Sequence, residues 1–441
     1  MRLVLPMHSA IDRSAFSFHP VASYTVPSAS GPVPVSVSGT EMDGLPVYFI
    51  SGPPFEKDSP VYSIDTRLDG SKFTFFSLAL LELPRQLGWK LDILHVNDWH
   101  TALAAYALDR VRSTDPFLTD THALITVHNL PFMGSGAEWA LPEYNLPPGQ
   151  DNHLPEWARV LPLPLGLSSV EKIVAVSPTY AREILTPEFG CGLQDFLRTR
   201  QDAITGILNG IDTILWNPAR EREGVVGFDA NSLDIRGVNK ETLQNRFSLN
   251  VDPNTPLLTF IGRMDPQKGV DLVFDGLRQI ADLDWQAIIL GTGIPGLEAS
   301  ARSLENDFPD RVRAVIRFDS RLSHLLYAGS DILMMPSRYE PCGLAQMIAM
   351  RYGCIPVARN TGGLSDTVRD FFRSSNSNGF LFDEATPEAF ALAMRSAIRT
   401  YPNRSAWRGL QTRGGLQDFS WLRSATQYAR LYNNLMGDTP V

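Results

Sequence analysis

The chain has 441 residues, of which 44% are hydrophobic and 20% are charged. Such a composition predicts two or three globular domains and argues against an intrinsically disordered protein. Asp and Glu total 48 while Lys and Arg total 39, and the formal charge of −9 argues against a nucleic-acid partner. No run of about 18 apolar residues occurs, so we expect no membrane span.

Cysteine usage and the start of the sequence point to a cytoplasmic protein. Cys191, Cys342 and Cys354 are an odd number without a C-x-x-C pair, so we expect neither a disulfide framework nor a zinc site. Residues 1–16 contain charged side chains and no long apolar stretch, so we predict no signal peptide there.

The first predicted element is a β-hairpin. Val33, Val35 and Val37 alternate with other residues, and a second apolar run at residues 47–50 follows a Gly-containing turn. Alternation of this kind is typical of strands with one buried face.

From residue 93 onward, short apolar runs alternate with stretches of helical pattern. Each run is too short for a helix and is typical of a strand buried on both faces of a parallel sheet. The alternation therefore predicts βαβ units. In chain order the runs are residues 93–96, 124–127, 173–176, 257–261, 287–290, 332–335 and 355–357.

A polar region at residues 216–252 separates two series of strand and helix patterns, and we place the domain boundary there. A final amphipathic helix is predicted to begin after Ser420. The sequence thus indicates an α/β protein with two Rossmann-like domains facing across a crevice. The predicted parts are an N-terminal domain at residues 1–245, a C-terminal domain at 246–415, and a closing helix at 416–441 that packs back on the N-terminal domain.

Polar and Gly-rich residues follow the predicted strands. Ligands of open parallel sheets bind beyond the carboxyl ends of the strands, so these positions are candidates for a binding site. Asp98 follows the run at 93–96, and His128 follows the run at 124–127. The candidates after the later runs are Arg263, Lys268, Tyr339, Glu340, Cys342, Gly343, Leu344, Thr361, Gly362 and Gly363.

These residue types suggest transfer of a group from a phosphorylated donor. Arg263 and Lys268 can neutralise a diphosphate, and the backbone N–H groups at Thr361, Gly362 and Gly363 can approach an anion. The helix predicted to begin there favours negative charge at its N-terminus. Cations and dipoles arranged in advance stabilise a departing diphosphate.

Each of these signals also has a purely structural interpretation. Arg263 and Lys268 can form a solvated loop, and a single histidine such as His128 is more often a hydrogen-bonded structural residue. Glu340 can cap the next helix, and Cys342 can fill a core position.

Two short motifs are interpreted as decoys. Asp282 and Asp284 form a D-x-D sequence that precedes a strand rather than following one, so we expect no metal ion there. The Gly-Thr-Gly turn at residues 291–293 is too short a signal for a dinucleotide site.

Several blocks, in order, resemble bacterial glycogen synthases and plant starch synthases. His-Val-Asn-Asp-Trp-His-Thr-Ala-Leu at residues 95–103 is similar to the family's H-x-x-D-W-H-T-x-L segment. The block at residues 337–344, Ser-Arg-Tyr-Glu-Pro-Cys-Gly-Leu, is also similar to the family. The likeness runs from about residue 60 to residue 435, and its other blocks are residues 126–130, 176–183, 206–212, 216–218, 262–263, 267–269, 351–353, 355–357 and 361–364.

The resemblance implies a GT-B fold and a retaining glucosyltransferase that needs neither a metal ion nor a cofactor. It implies ADP-glucose as the usual donor and the non-reducing end of an α-1,4-glucan as the acceptor. By the same resemblance, Arg263 and Lys268 hold the diphosphate, and Glu340 holds glucosyl hydroxyls. His128 lines the reacting face, and Asp98 orients glucose or acceptor hydroxyls. Around the donor the resemblance places Asn209, Tyr339 near the base, Cys342, Gly343 and Leu344, with Thr361, Gly362 and Gly363 at the phosphates.

The sequence departs from the family at its N-terminus. The family carries Lys-x-Gly-Gly-Leu after its first strand, and that lysine contacts the donor; here Gly-Gly-Leu occurs only at Gly362 and Gly414. Residues 1–6 resemble the family's second strand. We therefore expect an N-terminal domain without its first strand and helix. We favour a true start upstream of Met1 over a degenerate domain, because losing a central strand leaves backbone groups unpaired. Residues 140–165 depart as well.

Two other hypotheses stay open. The chain can be a catalytically impaired relative that binds glucan or nucleotide, because the lysine loop is missing. It can also be a sucrose- or trehalose-forming GT-B transferase, although the blocks around Asp98 and Glu340 fit glucan synthases better. The sequence leaves the oligomeric state open.

Overall fold

The structure is a computed structural model of the chain and describes residues 1–55, 60–221 and 224–437. The chain folds into two units. Unit 1 comprises Met1–Ala175, Ala181–Thr205 and Ala429–Val441, and unit 2 comprises Val176–Tyr180 and Gly206–Tyr428. The limits of these units lie at other positions than residues 245 and 415, where the sequence predicts the domain limits. Those two limits therefore stay predictions.

The first sheet of unit 1 contains the predicted hairpin. Its strands are β1 (Leu3–Pro6), β2 (His19–Val26), β3 (Val33–Met42) and β4 (Leu45–Ser51), in the order β1-β4-β3-β2. Asp43 and Gly44 both have positive φ between β3 and β4, as a two-residue hairpin turn requires. The pairing of Met42 with Leu45 across that turn confirms the hairpin.

The second sheet of unit 1 carries the first βα series. Its strands are β5 (Ile93–Asn97), β6 (His122–Val127), β7 (Lys172–Ala175) and β8 (Ile204–Gly206), in that order, with β5, β6 and β7 parallel. The predicted strands at 93–96 and 124–127 are confirmed. The helices of this part of the chain are α1 (Thr66–Gln86), α2 (Asp98–Val111), α3 (Ala140–Glu143), α4 (Pro162–Ser168), α5 (Pro178–Glu183) and α6 (Gln194–Thr199), of which α5 is divided between the units at Ala181.

The two sheets of unit 1 are not joined within the described residues. β1 and β5 each end a sheet and pair in parallel with one neighbour. The edge position of β1 shows in the exposure of its side chains. Leu3 of β1 is 40% exposed, whereas Leu124 and Ile125 of the central strand β6 are fully buried.

Unit 2 contains one six-stranded parallel sheet. Its order is β11-β10-β9-β12-β13-β14, which is the 3-2-1-4-5-6 order of a dinucleotide-binding fold. In such a sheet the strand order reverses between the first and fourth strands, here β9 and β12, and a crevice opens beyond their carboxyl ends. The strands are β9 (Leu257–Ile261), β10 (Gln286–Gly291), β11 (Val312–Ile316), β12 (Ile332–Met335), β13 (Ile355–Arg359) and β14 (Phe380–Phe382).

Helices cover the sheet of unit 2. They are α7 (Arg236–Arg246), α8 (Val270–Gln279), α9 (Pro295–Asp307), α10 (Ser320–Gly329), α11 (Ala345–Arg351), α12 (Gly362–Thr367), α13 (Pro387–Thr400) and α14 (Arg404–Gly415). The last helix, α15 (Trp421–Leu435), is divided between the two units. The helix predicted after Ser420 is confirmed by α15, and the packing of residues 416–441 on the N-terminal domain stays a prediction. Over the described ranges, none of the helices combines the length and apolar character needed to cross a bilayer.

A buried ion pair fixes α7 within unit 2. Lys240 lies 2.8 Å from the carboxylate of Asp331, and its ammonium also donates to the Thr255 carbonyl at 2.6 Å and contacts the Tyr401 hydroxyl at 2.9 Å. The Asp331 carboxylate accepts from the backbone N–H of Leu257 at 2.9 Å. Complete pairing of this kind is what makes buried charges tolerable. The polar stretch at 216–252 therefore includes a packed helix.

Two partly buried imidazoles make the stability of unit 1 depend on pH. Burial lowers the pKa of both His95 and His100 from 6.5 to about 4. Between about pH 6.5 and 4 the unfolded chain thus binds protons that the folded chain excludes, and stability falls as the pH falls. Each histidine is expected to account for about 2 kcal/mol of loss on going from pH 7 to pH 5.

The prediction is checked by urea unfolding at pH 7 and pH 5. Nε2 of His100 has no hydrogen-bond partner in the described residues, and its ring packs against Trp99 and Phe73. His100→Phe therefore should shrink the acid-induced loss of stability, because it removes the titrating ring and keeps an aromatic ring against Trp99 and Phe73. An equal loss in the wild type and His100→Phe would contradict the prediction.

Candidate functional site

The candidate site of unit 2 lies where β9 and β12 end. These strands are adjacent, with Ile332 opposite Leu258. Arg263 follows β9 by two residues, and Glu340 lies in the loop after β12. The predicted donor residues thus converge at the point where the strand order reverses, which is where open α/β sheets bind ligands.

The loop after β9 is shaped by a cap and a glycine. The carboxylate of Asp265 accepts from the backbone N–H of Lys268 at 3.0 Å and so begins the short turn Pro266–Lys268. Gly269 has a φ of +63°, and a Cβ there would lie 2.2 Å from the carbonyl oxygen of Pro336. Only glycine lets this loop touch the loop after β12.

Lys268 and Glu340 form an ion pair across these two loops. The Lys268 ammonium lies 2.9 Å from Oε1 and 2.6 Å from Oε2 of Glu340, and the Ser337 hydroxyl donates to Oε2 at 2.9 Å. The Glu340 side chain is 6% exposed and that of Lys268 is 23% exposed. The cation therefore compensates a buried carboxylate and still reaches the surface.

Arg263 is the second cation of this group and is much more exposed. Its side chain is 62% exposed and contacts the Asp265 carboxylate at 3.3 Å. An exposed pair of this kind contributes little to stability. The guanidinium is thus available to an anion at the end of β9.

Two backbone segments after β12 and β13 are in direct contact. The N–H of Gly363 donates to the carbonyl of Glu340 at 3.0 Å. A Cβ at Gly362 would lie 1.9 Å from the Glu340 oxygen, and one at Gly363 would lie 1.9 Å from the Cys342 oxygen. The two glycines are therefore required by packing as well as by the predicted approach of a phosphate. Thr361 is buried at the start of this segment.

The remaining predicted donor residues surround these segments. The Cys342 thiol is buried, which raises its pKa to about 12, and the backbone N–H of Asn209 bonds to it. The thiol therefore stays protonated and acts as a packing group. Gly343 has a φ of +71°, Leu344 is exposed, and Tyr339 is half-buried.

Asp98 and His128 form a separate group in unit 1. Asp98 begins α2 with a φ of +50°, which is unusual for a residue with a side chain. Its Oδ1 accepts from the backbone N–H of His128 at 2.7 Å, and the His128 ring contacts Oδ1 of Asn97 at 3.0 Å. Burial raises the pKa of Asp98. One carboxylate oxygen of Asp98 thus shapes the loop after β6.

The structure also assigns partners to residues outside the predicted set. Asp282, interpreted as a decoy for a metal site, pairs with the guanidinium of Arg395 at 2.6 Å and 2.7 Å. Sequence reasoning missed Ser337, which holds Glu340, and Gln346, which bonds to the Cys342–Gly343 backbone. Ser337 was visible two residues after β12 and within the block at residues 337–344, but it was given no role. Gln346 lies inside α11, where no signal in the sequence marked it.

Comparison with known proteins defines the class of the chain. The starch synthase catalytic domain family matches residues 1–199, and the glycosyl transferases group 1 family matches residues 241–409. The catalytic domain of starch synthase IV from Arabidopsis thaliana, bound to ADP and acarbose, matches with a TM-score of 0.88 at 32% identity. That match covers 99% of this chain and 92% of the other. The chain therefore has the GT-B fold of a glycosyltransferase.

Curated relatives identify the family. A glycogen synthase from Anaeromyxobacter dehalogenans is 38% identical over 98% of this chain and 91% of its own length. A glycogen synthase from Aromatoleum aromaticum is 39% identical over 98% of this chain and 89% of its own. The chain belongs to the glycogen and starch synthase family, a family of glucosyltransferases. The predicted fold class and family resemblance are confirmed.

One more match bears on the alternative transferases. Sucrose-phosphate synthase from Thermosynechococcus elongatus matches with a TM-score of 0.58 at 19% identity, over 90% of this chain and 85% of the other. At that identity the likeness shows the fold alone.

The glycine contacts generate a prediction. Gly363→Ala should destabilise unit 2 by about 2 kcal/mol or more, because the new Cβ meets the Cys342 carbonyl in a packed site. Gly237→Ala in α7 is the control, since nothing lies within 4 Å of a Cβ there, and it should stabilise by about 0.5–1 kcal/mol. Thermal and urea unfolding measure both changes. Similar small effects for the two variants would show that the 342–363 contact is dispensable.

Proposed function

We propose that the chain transfers glucose from ADP-glucose to the non-reducing end of an α-1,4-glucan, with retention and without a metal ion. The Lys268–Glu340 pair carries the proposal, because it joins a cation and a hydroxyl-binding carboxylate at the end of the reversing strands. Support for the donor and acceptor classes comes from the starch synthase IV domain, which is bound to ADP and acarbose. The free thiols Cys191, Cys342 and Cys354 support a cytoplasmic setting.

In the proposed reaction, the cations act on the leaving group. Arg263 and Lys268 stabilise the negative charge that builds on the diphosphate as the bond to glucose breaks. Glu340 binds glucosyl hydroxyls through its carboxylate. The remaining proposed donor contacts are Asn209, Tyr339 near the base, Cys342, Gly343 and Leu344, with Thr361, Gly362 and Gly363 at the phosphates.

On the acceptor side we assign His128 and Asp98. The His128 ring lies at the carboxyl end of β6 and is oriented by its contact with Asn97. Asp98 fixes the backbone of His128 through one oxygen, and we assign its other oxygen to a sugar hydroxyl. The diphosphate itself assists on one face of an oxocarbenium-like glucosyl group, so no covalent enzyme intermediate is needed.

Substituting the two cations tests the proposal. Arg263→Ala and Lys268→Ala should each lower kcat by about 10²- to 10³-fold, because each loses a charge that faces the departing diphosphate. Transfer of radiolabelled glucose from ADP-glucose to glycogen measures kcat, and thermal unfolding measures the folded state.

Arg317→Ala is a matched control for Arg263→Ala. The Arg317 side chain is 56% exposed and pairs with Asp319 two residues on, just as Arg263 is 62% exposed and pairs with Asp265. The control should keep full activity. If Arg263→Ala and Lys268→Ala lose activity only in proportion to their loss of thermal stability, the two cations are structural and the mechanism is wrong.

A second candidate is a catalytically impaired relative that binds glucan or nucleotide. The observation behind this candidate is that these 441 residues contain no Lys-x-Gly-Gly-Leu motif. Calorimetric titration with ADP and with maltoheptaose separates the candidates when run beside the transfer assay. Binding without incorporation of glucose would support the impaired relative, and incorporation would exclude it. Transfer to fructose or a hexose phosphate instead of glycogen would indicate the sucrose- or trehalose-forming alternative.

A further inference from the structure

Gln346 is a buried amide that contacts the loop bearing Cys342 and Gly343. It lies in α11 and is fully buried. Its Nε2 lies 3.1 Å from the Cys342 carbonyl oxygen and 2.9 Å from that of Gly343. One side chain therefore holds two successive carbonyls of the loop that follows Glu340.

The same amide reaches the second backbone segment through a hydroxyl. Nε2 of Gln346 lies 3.1 Å from Oγ1 of Thr367, and that hydroxyl donates to the carbonyl of Gly363 at 2.6 Å. Since the single hydroxyl proton of Thr367 goes to Gly363, Thr367 must accept from Gln346. A continuous chain of bonds thus runs from Cys342 and Gly343 through Gln346 and Thr367 to Gly363.

The surroundings fix which way the amide points. Three oxygen acceptors face one end of the Gln346 side chain, so that end is the NH₂ group. Its two N–H groups serve the three acceptors, so one N–H is shared between two of them. The other end, Oε1 of Gln346, accepts no hydrogen bond from any group in the described residues. It packs against Gly343, where a Cβ would lie only 2.4 Å from this oxygen. A buried acceptor without a donor is costly. The hydrogen bonds of the NH₂ group to the three acceptors offset the cost of this unpaired oxygen.

We propose that Gln346 is a positioning residue for the nucleotide-sugar donor, acting with Thr367 to set the spacing of the Cys342–Gly343 and Gly363 backbones. This inference rests on the proposed function, which assigns both segments to donor binding. Gln346 itself lies behind them and is not a catalytic residue. Loss of its NH₂ group should let the segments relax and weaken donor binding more than it weakens folding.

A second buried glutamine provides the control. Gln411 of α14 is also buried, and its Nε2 donates to the backbone carbonyl of Gly353 at 2.9 Å. It makes the same kind of bond in the same unit, and that bond involves none of the proposed donor residues. Gln411→Leu thus measures what the loss of a buried amide does to folding alone.

The experiment compares Gln346→Leu, Gln411→Leu, Thr367→Val and Thr367→Ser with the wild type. Kd for ADP is measured by calorimetry, KM and kcat with ADP-glucose and glycogen, and Tm by thermal unfolding. Gln346→Leu should raise Kd for ADP and KM for ADP-glucose by about tenfold, with a smaller effect on kcat. Gln411→Leu should lower Tm by a similar amount and leave Kd and KM unchanged.

Thr367 gives an independent readout if Gln346→Leu does not fold. Thr367→Val removes the relay hydroxyl and should weaken ADP binding, while Thr367→Ser restores the hydroxyl and should bind ADP like the wild type. Equal ADP affinity in the two Thr367 variants, or unchanged Kd and KM in a folded Gln346→Leu, overturns the inference. If the wild type neither binds ADP nor transfers glucose, the proposed function fails instead, and the variants are not needed to show it.

Discussion

The ion pair between Lys268 and Glu340 is the interaction on which the loops of unit 2 depend. Removing a carboxylate from water costs several kcal/mol unless a cation and hydrogen bonds compensate it. Glu340 is nearly fully buried, and it is compensated by the Lys268 ammonium on both oxygens and by the Ser337 hydroxyl. Because Lys268 follows β9 and Glu340 follows β12, this compensation also ties together the ends of the two strands at which the sheet reverses.

Close backbone contacts make that pairing possible. Gly269 touches Pro336, Gly362 touches Glu340, and Gly363 touches Cys342, each at a distance that any side chain would prevent. Three loops after three parallel strands can therefore meet at one place. Strand order brings the loop ends near one another, glycine removes the steric barrier, and the charged side chains then come within bonding distance.

The sequence predicted the parts of this arrangement that follow from simple periodicity. Buried strands such as β9 and β12 were recognisable as short apolar runs, and the predicted residues after them lie together at the end of the sheet. β11 was missed because Arg313 interrupts its apolar pattern at the sheet edge, and β14 because it has only three residues. Gln346 escaped prediction for another reason. It binds backbone carbonyls through its side chain, and such bonds leave no periodic pattern in the sequence.

The geometry divides the work of the two cations in the proposed reaction. The Lys268 ammonium has three N–H donors, and Glu340 accepts at two oxygens, so a donor diphosphate can share the ammonium without displacing the carboxylate. Full release of Lys268 would leave Glu340 buried and uncompensated, which the fold opposes. Arg263 can leave its partner at little cost, since Asp265 is partly exposed and the pair contributes little to stability. In the reaction that we propose, the diphosphate therefore meets one cation held in place by a buried charge and one that is free to follow the negative charge as it moves onto the leaving group.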